Sequence, residues 1–363
     1  MRRGILTVAA VGLLTAGNLT ACGNDSADGT ASRPKPKIGV ILPDSASSNR
    51  WETADRRYLE AAFKAAGVDY DIQNAQNDKA RFVTIAEQMI TNGVTALMIT
   101  NLDSGTGKAV LDKATQKGVA TIDYDRPTLG GSAQYYVSFD NVAVGKLQGE
   151  GLVECLTDKG VRNPVVAELN GSPTDNNAAQ FKEGYDSVLQ PRYDAKEYLK
   201  GPDQSVPEWN NTTGGTIFEQ MLTQTNGRID AVVAANDGLA NAVISVLAKN
   251  KLNGKVPVTG QDADAQALQH ILSGDQCMTV YKPVKTEAEA AADLAIALAR
   301  GEKKKTEQSF RDPKGSRNVP AVLLGAQAIT KETVKNVIAD GYVDKADVCT
   351  PEYAALCAQA GIG

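Results

Sequence analysis

From Ile38 to Tyr281, short apolar runs alternate with amphipathic segments, and many of the runs stop abruptly at clustered polar side chains. Val119-Ala120-Thr121-Ile122 leads into Asp125-Arg126, and Val256-Pro257-Val258-Thr259 leads into Gln261-Asp262-Ala263-Asp264. Strand and helix patterns alternating at this length call for parallel sheets with helices on both faces. Polar groups just beyond the strand ends mark the edge at which such sheets present a ligand site. The expected class is α/β, with two similar open sheets dividing near Asp140-Asn141. Strands are expected at 38–42, 68–72, 95–100, 119–122, 135–139, 165–169, 231–234, 256–260 and 277–281. Helices are expected at 52–66, 80–92, 106–117, 142–156, 178–189, 238–249, 265–272 and 284–300, the last being rich in Ala, Leu, Glu and Lys.

The chain has 363 residues, enough for two domains, and 42% apolar residues can fill two cores. Its start belongs to targeting rather than to the fold. Arg2 and Arg3 precede an apolar stretch from Ile5 to Leu14 that is too short to span a bilayer. Leu19-Thr20-Ala21-Cys22 is similar to the lipobox of bacterial lipoproteins, which implies cleavage after Ala21 and a lipid on Cys22. Two acyl chains suffice for stable anchoring where one does not. The expected location is extracytoplasmic, on the outer face of the cell membrane, with the Ser-, Asp-, Gly- and Pro-rich segment to Lys37 as a flexible tether.

Several classes are excluded. The net charge of −5 includes no basic stripe that could track phosphates, so no nucleic acid is expected. Pro43-Asp44-Ser45-Ala46-Ser47 follows the first strand where a dinucleotide site would carry Gly-x-Gly-x-x-Gly, and no P-loop motif occurs. His270 is the only histidine and the cysteines lack C-x-x-C spacing, so neither metal nor cofactor is expected. Besides Cys22 there are Cys155, Cys277, Cys349 and Cys357, an even number that permits two disulfides in an exported chain. Three pairings are possible; Cys349–Cys357, closing a short loop, with Cys155–Cys277 is the preferred one.

The residues past the strand ends form one set. Arg50, Trp51, Asn101, Asp103, Asp125 and Arg126 come from the first half. Asp175, Asn176, Asn177, Asn236, Asp237, Asp262 and Asp264 come from the second, and Lys282 follows the strand leading back. Singly, Asp103, Asp175, Asn236 and Asp237 read equally well as helix N-caps. Together they mix acceptors, amides and donors, and a sugar hydroxyl, which both donates and accepts, needs that mixture. Trp51 and Trp209 lie in polar loops, where an aromatic face can stack on a sugar ring.

Tyr124-Asp125-Arg126, Ser138-Phe139-Asp140-Asn141, Gly171 to Asn177, Ile229 to Asp237, Gly260 to Asp264 and Met278 to Pro283 occur in the order and spacing of a known family. The chain resembles the ribose-type (type I) solute-binding proteins of ABC sugar importers, most closely the xylose-binding members, from about Lys37 to Tyr342. The resemblance implies two Rossmann-like lobes joined by a three-segment hinge near Asp140-Asn141, Lys282-Pro283 and Arg317–Ala321. It divides the chain into a leader (1–21), a tether (22–37), an N-terminal lobe (38–140 with 282–316), a C-terminal lobe (141–281 with 317–345) and a tail (346–363). It assigns sugar contact to Arg50, Asp125, Arg126, Asp175, Asn177, Asn236, Asp262 and Lys282, with Trp51 and Trp209 as ring platforms. Asn101 matches the ribose pattern better than the xylose one. The implied protein is a monomer that is not an enzyme and that captures a monosaccharide, D-xylose first, for an ABC permease. Presenting bound sugar to a chemoreceptor or histidine kinase, and binding a different aldose, are the alternatives. A glycosidase working through two of Asp125, Asp175 and Asp262 is a distant one.

Overall fold

A computed structural model describes residues 35–363; the leader, Cys22 and most of the tether lie outside them. Two larger sheets and a two-stranded pair organise the described residues. The first has seven strands in the order β10-β11-β5-β4-β3-β1-β2. These are β1 (Lys37–Leu42), β2 (Asp69–Asn74), β3 (Ala96–Ile99), β4 (Ala120–Tyr124), β5 (Tyr135–Phe139), β10 (Gln308–Asp312) and β11 (Arg317–Leu324). All pair in parallel except the β10–β11 hairpin.

The central strands are buried along nearly their whole length, which is why they read as unbroken apolar runs rather than alternating ones. On one face lie α1 (Arg56–Ala65) and α9 (Val284–Ala299), packing Leu59, Phe63, Ala288 and Ala292 over Val40, Met98 and Ile122. On the other lie α2 (Lys79–Thr91) and α3 (Ser104–Gln116), packing Phe82, Met89 and Leu111 over Ile41, Leu97 and Ile99.

The second lobe repeats the plan around β6 (Val165–Asn170), flanked by β7 (Leu199–Ser205) and β8 (Ala231–Ala234). Its helices are α4 (Asn141–Asp158), α5 (Asn176–Asp194), α6 (Asn211–Gln224) and α7 (Asp237–Lys249). The α4–α5 contact is close: a Cβ on Gly145 would lie 2.0 Å from the Phe181 carbonyl oxygen, so only glycine allows α5 to sit where it does. A third layer is built from α8 (Ala265–Ser273), β9 (Thr279–Tyr281), β12 (Gln327–Ile329), α10 (Val334–Ala339), α11 (Lys345–Val348) and α12 (Ala354–Gln359).

The structure departs from the sequence expectations in four places. The segment 256–260 makes a single bridge, Val258 to Val232, rather than a strand. The weakly patterned region after Leu189 carries β7 and α6. Residues 317–324 belong to the first lobe, because β11 adds in parallel to β5, and the third crossing falls between Leu324 and Gln327. Residues 346–363 are not a loose tail: Val348, Cys357 and Ile362 pack with Leu268, Ile271 and Leu272 of α8 in one apolar cluster. Cys349 is joined to Cys357 there (Cα–Cα 5.8 Å), and Cys155 at the end of α4 is joined to Cys277 ahead of β9 (6.4 Å).

Candidate functional site

The carboxyl ends of both sheets meet in one cleft. Arg50 and Trp51 open a single π-helical turn after β1. Asp125 and Arg126 follow β4, and Asp175 and Asn177 stand at the start of α5 after β6. Trp209 closes a short turn after β7, Asn236 precedes α7 after β8, and Lys282 follows β9. These residues, with Asp262, line one cavity. Of the expected contact residues only Asn101 stays outside the lining. It lies behind the Arg126 loop, where its Nδ2 donates to the Arg126 carbonyl (2.9 Å) and to Thr128 Oγ1 (3.0 Å).

The N-cap reading and the site reading hold at once for two residues. Asp175 Oδ1 accepts the Asn177 amide while Oδ2 accepts Trp209 Nε1 at 3.0 Å. Asn236 Oδ1 caps α7, and its Nδ2 donates across the cleft to the Ser47 carbonyl (3.2 Å). Asp237 has a different duty: buried, it gathers Thr279 Oγ1, Gln276 Nε2 and the Asp264 amide, and so holds the turn that carries Asp262. Asp125 (φ 63°) and Asp262 (φ 102°) both have left-handed backbone, which is costly for a non-glycine residue and typical of a held functional position.

Each carboxylate on the lining faces a cation. Arg50 Nη1 donates to Asp125 Oδ2 (3.1 Å), Arg126 Nε lies 2.9 Å from Asp175 Oδ2, and Lys282 Nζ lies 3.0 Å from Asp262 Oδ1. With three cations and three carboxylates its formal charge is zero. Burial works to raise the Asp125 carboxyl, but the charges of Arg50, Lys282 and Arg126 outweigh it and hold the group below the ordinary carboxylate range. A general acid needs the opposite shift.

Hydrogen-bonding capacity nevertheless remains. Among the described residues the buried Trp51 Nε1, Asn177 Oδ1 and Gln261 Oε1, all on the lining, have no partner. Such groups are costly unless something satisfies them. One aromatic ring comes from each lobe: Trp51 lies against the Arg50 and Arg126 guanidinium groups (4.4 and 5.6 Å), and Trp209 meets Phe181 edge-on.

The lobes also touch directly. Asn177 Nδ2 donates to the Asp125 carbonyl (3.0 Å) and to its Oδ1 (3.1 Å), and Asn176 Nδ2 donates to the Pro127 carbonyl (3.0 Å). The described arrangement is therefore the closed one.

Sequence reasoning missed Ser47, Ser48, Phe181 and Gln261 on the lining. Gln261 adjoins Asp262 in the sequence and so carries a signal. Phe181, inside a helical pattern, reads as core.

Asp123 supports the Asp125-Arg126 loop from below, accepting from the Thr128 amide (2.8 Å) and from Thr128 Oγ1 (2.7 Å). Burial pushes its carboxyl up to about 7, against the opposing pull of those bonds. A raised carboxyl favours the folded state fully below its unfolded pKa, and that contribution is lost as pH climbs through the folded one. Wild-type stability should therefore fall by a few kcal/mol between about pH 4 and about pH 7 relative to Asp123→Asn. Denaturant unfolding across that range checks this, and parallel curves for the two proteins would refute it.

A family model described as a periplasmic binding protein domain matches residues 38–303. The D-xylose-binding periplasmic protein of Escherichia coli is 34% identical over 307 residues, covering 84% of this chain and 90% of that one. The multiple sugar-binding periplasmic receptor of Rhizobium radiobacter is 33% identical, with 86% and 92% covered. A solute-binding protein of an ABC transporter from Clostridium phytofermentans, solved with β-D-glucose, superposes with a TM-score of 0.78 at 28% identity, with 86% and 99% covered. Alternating βα units, two sheets facing one cleft and a match over most of the chain agree: this protein belongs to the periplasmic binding protein family.

Proposed function

We propose that the chain is an extracytoplasmic solute-binding protein that captures a monosaccharide, D-xylose first among them, and delivers it to an ABC importer. The observation that carries this is the neutral cavity: three balanced ion pairs surround unpartnered donors and acceptors, with a tryptophan from each lobe. A charged ligand would upset that balance, and an apolar one would leave the buried polar atoms unsatisfied. A neutral polyol meets both demands, since each hydroxyl donates and accepts. Hydrogen bonds to charged groups contribute about 1.5–3 kcal/mol each. Four or five of them, less the ordering cost, reach the roughly −8 kcal/mol of a micromolar binder. D-xylose is favoured because two relatives at 34% identity bear its name. Neighbours solved with D-glucose argue for including hexoses in any test.

Sugar touching both faces stabilises the closed arrangement, a hinge motion for which periplasmic binding proteins are the standard example. The closed form then docks on the permease, and Cys22 carries the lipid that keeps the protein at the membrane. Calorimetric titration of the chain from Asn24 onward with D-xylose, D-ribose, L-arabinose, D-glucose and D-galactose should give saturable binding at micromolar affinity or better, strongest for xylose. A different winner would retire xylose and keep the transport role; no binding to any of the five would overturn the monosaccharide reading.

A further inference from the structure

Arg50 is the most heavily committed side chain in the cleft. A guanidinium carries five N–H hydrogens in a rigid plane. The Nε and one Nη2 hydrogen grip the two oxygens of Asp55 (2.9 and 2.8 Å), and one Nη1 hydrogen goes to Asp125 Oδ2 (3.1 Å). The other Nη2 hydrogen is taken by Glu287 Oε2 at 2.7 Å. One Nη1 hydrogen remains without a protein partner, and Arg50 is among the residues that line the cavity. Glu287 and Asp55 are both fully buried and neither lines the cavity. Glu287 stands in the first turn of α9, four residues after the Lys282-Pro283 crossing, and belongs to the covering helix of the first lobe.

We propose that Glu287 is a positioning residue for the ligand site: acting through Arg50, it fixes the guanidinium and leaves a single guanidinium hydrogen for the ligand. Asp55 alone would set the guanidinium plane but would leave a second buried N–H unmet, and the group could rock toward either need. Glu287 removes that freedom. The inference rests on the reading of the cleft as a ligand site.

Chemistry sets the form in which Glu287 does this. It shares one guanidinium with Asp55 and Asp125, and three ionised carboxylates there would outnumber the cation. Burial, and then the negative Asp125, push the Glu287 carboxyl well above the ordinary range. The charged or titratable groups around it are Arg50 and Asp55 from the π-helical turn, Tyr124 and Asp125 from β4 and its end, Tyr136 from β5, and Lys282 ahead of α9. Apolar Leu59, Leu42 and Met98 of α1, β1 and β3 fill the same apolar cluster beneath α9. In its neutral form the acid still accepts from Arg50 through Oε2. In its ionised form Glu287 would compete with Asp125 for the guanidinium.

The test titrates one sugar into the full-length protein, Glu287→Gln and Glu287→Ala at neutral pH. Glu287→Gln keeps the acceptor and should bind within about threefold of wild type at neutral pH, whereas Glu287→Ala should bind at least about tenfold more weakly. Affinity of Glu287→Ala equal to wild type would overturn the proposal. If that variant does not fold, Glu287→Gln binding at least about tenfold more weakly than wild type overturns it instead. Binding by wild type with unaltered variants sinks this inference alone; no binding by wild type sinks the ligand-site reading with it.

Discussion

Asp262→Ala should weaken sugar binding by about 2–4 kcal/mol, a loss of roughly thirty- to a thousand-fold. Asp262 is held in left-handed backbone, its amide donates to the Val280 carbonyl (2.9 Å), and its carboxylate sits 3.0 Å from Lys282 Nζ. Both side chains are almost wholly buried. The substitution therefore has two consequences: the ligand loses a charged acceptor, and Lys282 loses its counter-ion. Removing one member of a buried ion pair costs about 3–5 kcal/mol of stability, because the remaining charge has nowhere to go. The two effects separate in Asp262→Ala/Lys282→Met, which removes both charges together. Denaturant unfolding should show stability largely restored in the double variant, while calorimetry should show affinity still lost. Recovery of affinity along with stability would mean that Asp262 serves Lys282 alone and is no ligand group.

Much of that site could be read from the chain, for a physical reason. In parallel α/β sheets the strands are buried and the polar residues after them have one place to go, so Arg50, Asp125, Asp175, Asn236 and Lys282 are found by their position beyond an apolar run. Residues reaching the cavity from inside a regular element give no such signal. Phe181 follows the apolar period of α5, and Glu287 is one acid among several in an Ala-rich helix. Only the fold shows that the one faces the cleft and the other is buried beneath it. The same limit applied to the boundaries. Arg317–Leu324 alternates as a half-exposed edge strand does, and nothing local says which sheet it extends; parallel pairing with β5 is a tertiary choice. The terminal helices are short and weakly patterned, and their place against α8 follows from burying Val348, Cys357 and Ile362. Asn101 shows the converse error: it lies past a strand end as the rule requires, but its amide is spent on the loop beside it.

Gly171→Ala should lower sugar affinity at least about a hundredfold while costing only about 1–3 kcal/mol of stability, the usual cost of overpacking. A Cβ on Gly171 would lie 2.0 Å from Trp209 Cη2 and 2.1 Å from Cζ2, so the indole must leave its present plane. It has little freedom to do so gently. Trp209 (φ 55°) and Glu208 (φ 58°) already occupy left-handed backbone, and Phe181 closes on the indole from the side. Moving the ring breaks the Nε1 bond to Asp175, and Asp175 is also the counter-charge of Arg126 from the opposite lobe. One added methyl group thus disturbs an aromatic wall, a carboxylate and a contact that holds the closed arrangement. Gly215→Ala is the matching control, because a Cβ there would meet only Ala242 Cβ at an ordinary 3.8 Å. Calorimetric titration of both variants, with tryptophan emission recorded on sugar addition, reads the effect directly. Affinity for Gly171→Ala within about threefold of wild type would remove Trp209 from the ligand wall. Loss of affinity in both variants alike would point to general damage to the second lobe.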